Sequence, residues 1–123
     1  MKNPITPIFR MFDPELAKAF YLDWLGFQLD WEFKRGENFP LYWQVSRDDL
    51  VLHLTEHHGD CTPGGKVLAR VRDITTFHQA LRAKDYKYAK PGLEEVEWGA
   101  KVILVSDPFG NQIDFFEELE KEQ

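Results

Sequence analysis

The chain has 123 residues, 43% of them hydrophobic and 15% aromatic, enough to bury the core of one compact domain and too apolar for intrinsic disorder. Its net charge of −6 argues against nucleic-acid binding and permits a cationic partner, although Glu117, Glu118, Glu120, Lys121 and Glu122, read as an acidic tail, carry −3 of that total. No apolar run approaches the about 20 residues of a bilayer span, no apolar segment follows Met1-Lys2-Asn3-Pro4 as a signal peptide requires, and the single cysteine, Cys61, excludes an internal disulfide and fits a reducing cytoplasm.

Residues 5–11 alternate as a strand, with Pro4 and Pro7 marking an edge position or an irregular start. Asp13 then caps a predicted helix in which Pro14 suits the first position, Leu16, Phe20 and Trp24 recur at four-residue spacing, and Gly26 ends the run. Residues 27–33, 41–46 and 50–56 read as strands. Residues 58–65, with Gly59, Asp60, Pro63, Gly64 and Gly65, read as a connector.

The pattern then restarts. Residues 66–72 alternate, Asp73 caps a helix carrying Phe77, Ala80 and Leu81, and strands are predicted at 86–90, 99–106 and 112–118. The last is reached through the turn-forming Asp107-Pro-Phe-Gly-Asn111. The two passes share an offset of about sixty residues: Arg10-Met-Phe-Asp13 matches Arg70-Val-Arg-Asp73 (73 − 13), and Val45-Ser46 matches Val105-Ser106 (105 − 45). The fold class is therefore α+β, two tandem βαβββ modules forming a curved mixed sheet with a concave groove. One domain over residues 1–123 is expected, with module one at 1–57, the connector at 58–65, module two at 66–118 and a tail at 119–123.

Alternation assigns faces. Leu50, Leu52 and Leu54 point to one side of their strand, and Val51, His53 and Thr55 to the other. With Val67, Ala69, Val71, Ile113 and Phe115 packed under helices, His53, Lys66, Arg70, Asp114 and Phe116 fall on the uncovered face. Phe20, Trp24, Phe77 and Phe115 sit at core spacing, whereas Trp31, Phe39, Tyr42, Trp43, Trp98 and Phe116 lie on strands or loops bordering the groove. His57 and His58 are expected to be solvated, and His78 to occupy a surface helix position. No phosphate-binding loop is present, because Pro63-Gly64-Gly65-Lys66 lacks the required spacing, and neither Ser46 nor Ser106 lies in a nucleophile elbow.

Phe20-Tyr-Leu-Asp-Trp-Leu-Gly-Phe27, the Glu97-Trp98-Gly99 step and Asp107-Pro-Phe-Gly-Asn111 before a closing strand resemble the vicinal oxygen chelate superfamily, which includes glyoxalase I. Within it the chain is most similar to bleomycin resistance proteins, from its length, the Trp98-Gly99 step and the acidic tail. Enzymes of this superfamily hold a divalent metal on strands one, four, five and eight. The resemblance places Thr6, His53, Lys66 and Asp114 at those positions. An ammonium offers no lone pair to a metal, so the metal site is read as lost, with no cofactor and no catalytic residue. The resemblance instead implies sequestration of a bleomycin-type glycopeptide by a cytoplasmic homodimer, conferring resistance. It selects Asp30, Trp31, Phe39 and Trp98 around a planar ligand, with Asp114 on the floor. The ligand-binding set is then Asp30, Trp31, Phe39, Tyr42, Trp43, His53, Arg70, Trp98, Asp114 and Phe116. Lys66, Arg70 and Arg10 oppose a polycation and either pair with Asp114 and nearby Glu residues or mark an anionic ligand. The alternatives are a metal-dependent lyase or dioxygenase using His53 and Asp114, and a small-molecule sensor or carrier whose ligand is not an antibiotic.

Overall fold

The computed structural model describes residues 4–119, so the expectations for the first three residues and for the tail from 120 onward lie outside the described residues. Its elements are β1 (Ile8–Arg10), α1 (Pro14–Ala17) running into a π-helical segment (Lys18–Trp24), β2 (Gln28–Phe33), β3 (Tyr42–Arg47), β4 (Leu50–Thr55), β5 (Lys66–Arg70), α2 (Ile74–Ala83), β6 (Glu94–Val96), β7 (Ala100–Ser106) and β8 (Gln112–Glu118). They form two four-stranded mixed sheets of the same topology, β1-β4-β3-β2 and β5-β8-β7-β6, each parallel at β1/β4 or β5/β8 and antiparallel elsewhere. The α+β reading as two βαβββ modules is therefore correct. By packing, the chain divides into two units, one of residues up to Gly65 with Asp107–Asn111, the other of Lys66–Ser106 with residues from Gln112 onward.

In the first unit, Asp13 is an N-cap whose carboxylate accepts from the backbone N–H of Glu15 (2.9 Å) and Leu16 (3.3 Å), with Pro14 following. The helix then widens. Leu25 N–H reaches back five residues to the Phe20 carbonyl, and Phe27 N–H six to that of Tyr21, both at 2.9 Å. The wider turn brings Phe20, Tyr21, Trp24 and Leu25 all into the core. It also breaks the four-residue spacing, so Leu16 is exposed and Ala17 takes the buried place. Gly26, at φ 83°, releases the chain into β2. The first strand is shorter than the alternation predicts, three residues rather than seven, because Pro7 has no N–H to donate and pairing is confined to Ile8↔His53, Phe9↔Leu54 and Arg10↔Thr55.

The Asp107–Asn111 turn packs with this first unit. Asp107 Oδ1 accepts from the N–H of Phe109 (2.9 Å) and Asn111 (2.8 Å), while Oδ2 accepts from the Tyr21 hydroxyl (2.6 Å) and Asn111 Nδ2 (2.9 Å). Asn111 Nδ2 also donates to the Arg10 carbonyl, and its Oδ1 accepts from Gly64 N–H. Burial and the Asp107 carboxylate together push the Tyr21 phenol well above its usual pKa. The turn thus explains the Asp107 and Asn111 of the motif, and Gly110 takes the positive φ of 94° that closes it.

In the second unit, α2 lies on β8 through the edge-to-face pair Phe77 and Phe115, 5.0 Å between centroids. Its N-terminus is held twice: Asp73 accepts from Thr76, and Glu117 accepts from the N–H of Asp73 (2.8 Å) and Ile74 (3.1 Å). Glu117 is a helix cap rather than part of a solvated tail. The strand predicted at 86–90 is a loop, tied down where Pro91 O accepts from His78 Nε2 (2.8 Å) and Lys90 O from Arg82. His78 is therefore a half-buried tether and not a free surface residue. Pairing moves to β6, a charged edge strand in which Glu95 sits opposite Lys101.

Candidate functional site

The open face of the first sheet brings together Asp30, Trp31, Tyr42, Gln44, Ser46 and His53. A bulge at Asp30, between the pairs Leu29↔Val45 and Trp31↔Gln44, lets two successive residues serve one face, which a regular strand forbids. Asp30 therefore accepts from Ser46 Oγ (2.9 Å) and Gln44 Nε2 (3.1 Å), while Trp31 lies stacked on Tyr42, 5.9 Å between centroids and 8° between planes. Trp31 is 43% exposed, leaving apolar aromatic surface available beside a carboxylate. Among the described residues, Asp30 has no ion-pair partner.

His53, on β4, completes the cluster. Its ring stands edge-on to Trp31 (5.3 Å) and Tyr42 (5.1 Å). Its Nδ1 lies 2.7 Å from the Tyr42 hydroxyl and its Nε2 3.0 Å from Gln44 Oε1. Partial burial lowers the His53 pKa, so the imidazole is neutral at physiological pH. Burial, with Asp60 and Cys61 nearby, raises the Tyr42 pKa. Beyond Tyr42, the fully buried Thr55 hydroxyl donates to Asp60 (2.7 Å) and lies 3.0 Å from His57 Nδ1. His57 thus belongs to a hydrogen-bonded connector rather than to open solvent. Cys61 is held as a thiol by burial and by Asp60, against a smaller opposing effect of Arg10.

The second sheet's open face is built differently. Lys66 Nζ pairs with Asp114 Oδ2 at 3.1 Å. Arg70 pairs with Glu118 and lays its guanidinium 5.0 Å over the Phe116 ring, against whose edge Trp98 also packs (5.7 Å). Of the two sequence readings of these cations, the structure shows pairing with carboxylates. In the first unit, Arg10 lies over Phe12.

Of the ten residues predicted to bind ligand, Asp30, Trp31, Tyr42 and His53 come together on the first sheet, and Arg70, Trp98, Asp114 and Phe116 on the second. Trp43 does not join them. It alternates with Tyr42 and Gln44, is only 5% exposed, and donates its indole N–H to Glu32 (2.9 Å) on the opposite face. Phe39 is exposed in the β2–β3 loop with its ring against Gly36. Gln44 and Ser46 were missed, although Tyr42-Trp-Gln-Val-Ser46 alternates polar and apolar residues, the signal that places both beside Tyr42.

The metal positions implied by the resemblance do not fit a metal. Asp114 is engaged by Lys66, and both His53 nitrogens are hydrogen-bonded within the first sheet. Among the described residues no three His, Cys, Asp or Glu side chains are grouped to hold an ion, and no helix is long and apolar enough to cross a membrane.

The fold is similar to that of a bleomycin-binding protein solved with bleomycin, at 22% identity and TM-score 0.69 over 94% of this chain and 98% of that one. It is also similar to TioX from Micromonospora sp. ML1, at 18% identity and TM-score 0.73 over 94% and 98%. The antibiotic-binding protein TnmS3 from Streptomyces sp. CB03234 matches at 24% identity and TM-score 0.64 over 96% and 98%. No curated protein matches the sequence. The family model described as glyoxalase superfamily protein matches residues 2–122, nearly the whole chain, and with the paired βαβββ sheets this shows that the chain belongs to the glyoxalase superfamily.

Proposed function

We propose that the protein binds a bleomycin-type glycopeptide and sequesters it without altering it, thereby conferring resistance. The observation that carries this reading is the stack of exposed Trp31 on Tyr42 beside Asp30, a carboxylate without a basic partner among the described residues. A planar heteroaromatic can slide against the indole while a cationic group meets the carboxylate, and neither contact moves a proton. Fold relatives named for binding bleomycin or an antibiotic support the same class of ligand. Trp98, Arg70, Asp114 and Phe116 belong to the proposed binding surface on the second sheet. The reading also includes a cytoplasmic homodimer, for which the exposed apolar Leu68 and Leu104 offer surface to cover, and light scattering in solution measures the mass directly.

The test is a titration of chelator-treated protein with metal-free bleomycin, followed by tryptophan emission and by calorimetry. Saturation at one drug per subunit with submicromolar affinity, about −8 kcal/mol or better, supports sequestration. Absence of binding removes this reading and leaves the metal-dependent enzyme and the small-molecule carrier, to be separated by metal content and by screening that includes anionic ligands.

A further inference from the structure

The polar cluster on the first sheet has a direction. Asp30, as a carboxylate, can only accept hydrogen bonds, so the Gln44 side chain must turn its nitrogen toward Asp30 Oδ2 (3.1 Å). That leaves Gln44 Oε1 facing His53 Nε2 at 3.0 Å. A carbonyl oxygen also only accepts, so Nε2 carries the imidazole proton. In the neutral ring Nδ1 is then a lone pair, and the Tyr42 hydroxyl 2.7 Å away must donate to it. Ser46 Oγ, donating to Asp30 Oδ1 at 2.9 Å, reinforces the acceptor end.

We infer that this proton-ordered chain, Tyr42 to His53 to Gln44 to Asp30, fixes the hydrogen-bond preference of the binding face: Tyr42 presents only lone pairs to a ligand, so the site selects planar molecules that donate a hydrogen bond at the edge of the Trp31 stack. A free phenol could turn its single proton either way. Here that proton is committed inward, and an acceptor group brought to Tyr42 meets an acceptor. The charge at the far end sets this preference through two neutral side chains. Asp30 acts as a positioning residue for Tyr42 without touching it. The inference rests on the binding reading of the same face but not on the ligand's being a glycopeptide.

The test has two readouts on the full chain. Nitrogen-15 spectra of the His53 imidazole should show a protonated Nε2 and an unprotonated Nδ1; a protonated Nδ1 overturns the inference. Binding of 2-naphthol and of its methyl ether, neutral planar probes that differ in one donor, is then compared by NMR titration. Naphthol should bind about fivefold more tightly, the worth of one net hydrogen bond, and the preference should vanish in Tyr42→Phe. Gln44→Leu, which leaves Tyr42 in place but cuts the chain, should reduce it as well. Equal binding of the two probes to the unaltered protein, or a preference that survives undiminished in either substitution, overturns the inference. Bleomycin titrated into the same samples separates the two readings: a naphthol preference without drug binding removes only the glycopeptide, and drug binding with a protonated Nδ1 removes only the proton-ordered chain.

Discussion

The two sheets share a topology and, at many positions, a sixty-residue offset, yet their open faces handle charge in opposite ways. Tyr42 and Gln44 correspond to Val102 and Leu104, and Arg10 to Arg70: each pair occupies the same place in the strand register of its own sheet. Across the first sheet one row reads Ile8, His53, Gln44, Trp31; across the second it reads Leu68, Asp114, Leu104. In the second, the polar residue is a carboxylate neutralised by Lys66, flanked by leucines that are 67% and 54% exposed. In the first, a histidine and a glutamine lead to a carboxylate that, among the described residues, no cation meets. A repeated backbone therefore does not produce a repeated surface: side chains alternating toward solvent have diverged, while the buried set under them, Val45 and Val105 for example, has kept its register.

The largest effects are expected where the first face stands on its foundation. Asp107 serves four donors, among them the buried Tyr21 hydroxyl. Asp107→Ala strips the acceptor from the Tyr21 hydroxyl and the Phe109 and Asn111 N–H groups, leaves Asn111 Nδ2 only the Arg10 carbonyl, and should cost about 3–5 kcal/mol in urea unfolding. Tyr21→Phe should cost less, about 1–3 kcal/mol, and should change the alkaline limb. The folded-state phenol is raised above its usual value, so the unfolded chain loses its proton first, from about pH 10. Stability therefore falls as pH rises above that point, and the slope should be shallower in Tyr21→Phe. No counterpart of this buried phenol–carboxylate pair is found at the two-residue turn after β3, where Arg47 faces Leu50 directly.

Much of the frame was legible because it depends on local rules. Asp13 and Asp73 are caps, Gly26 and Gly110 take positive φ, and β8 begins and ends where alternation predicts. What alternation could not reveal was where a single residue is added. The π-helical turn buries Tyr21 beside Phe20 and exposes Leu16, and the bulge at Asp30 brings Asp30 and Trp31 to one face. Neither insertion has a composition signature, since each is stabilised by partners distant in sequence: Asp107 for Tyr21, Gln44 and Ser46 for Asp30. The same reason explains β6, where three acidic residues around Val96 read as loop until Lys101 and Val102 are placed opposite.

The next effect in size concerns ligand binding and sets the two aromatic sites against each other. Trp31→Ala removes the exposed face of the stack and should weaken the proposed ligand at least tenfold, with stability lowered by about 1–2 kcal/mol because the ring also packs on Tyr42 and His53. Asp30→Asn should weaken a cationic ligand more than Asp114→Asn does, because Asp114 already has its cation. Calorimetry of the three variants measures both differences, and equal losses for Asp30→Asn and Asp114→Asn would erase the contrast between the faces.

A smaller effect follows from the first face's neutral histidine. Burial lowers the folded-state pKa of His53, so as pH falls below about 6.5 the unfolded chain takes up its proton before the folded one does. The contribution is present above that pH and is lost as pH falls through the folded-state value. His53→Gln should flatten the stability profile in that window, read by urea midpoints between neutral and acid pH.

The smallest effects belong to the second face, and their smallness is itself the prediction. Arg70 meets Glu118 and Phe116 at the surface, with both charged side chains more than half exposed. Solvent and salt screen such a pair, and holding two long side chains in one geometry costs entropy, so Arg70→Ala should lower stability by less than about 1 kcal/mol. Its cation–π contact keeps the Phe116 ring covered, so the measurable consequence is optical: Trp98, packed edge-on against Phe116, should change emission in the free protein while the urea midpoint barely moves. A large stability loss instead would mean that the second face, like the first, is built on a network whose members depend on one another, and the division between the two faces would fail at Arg70.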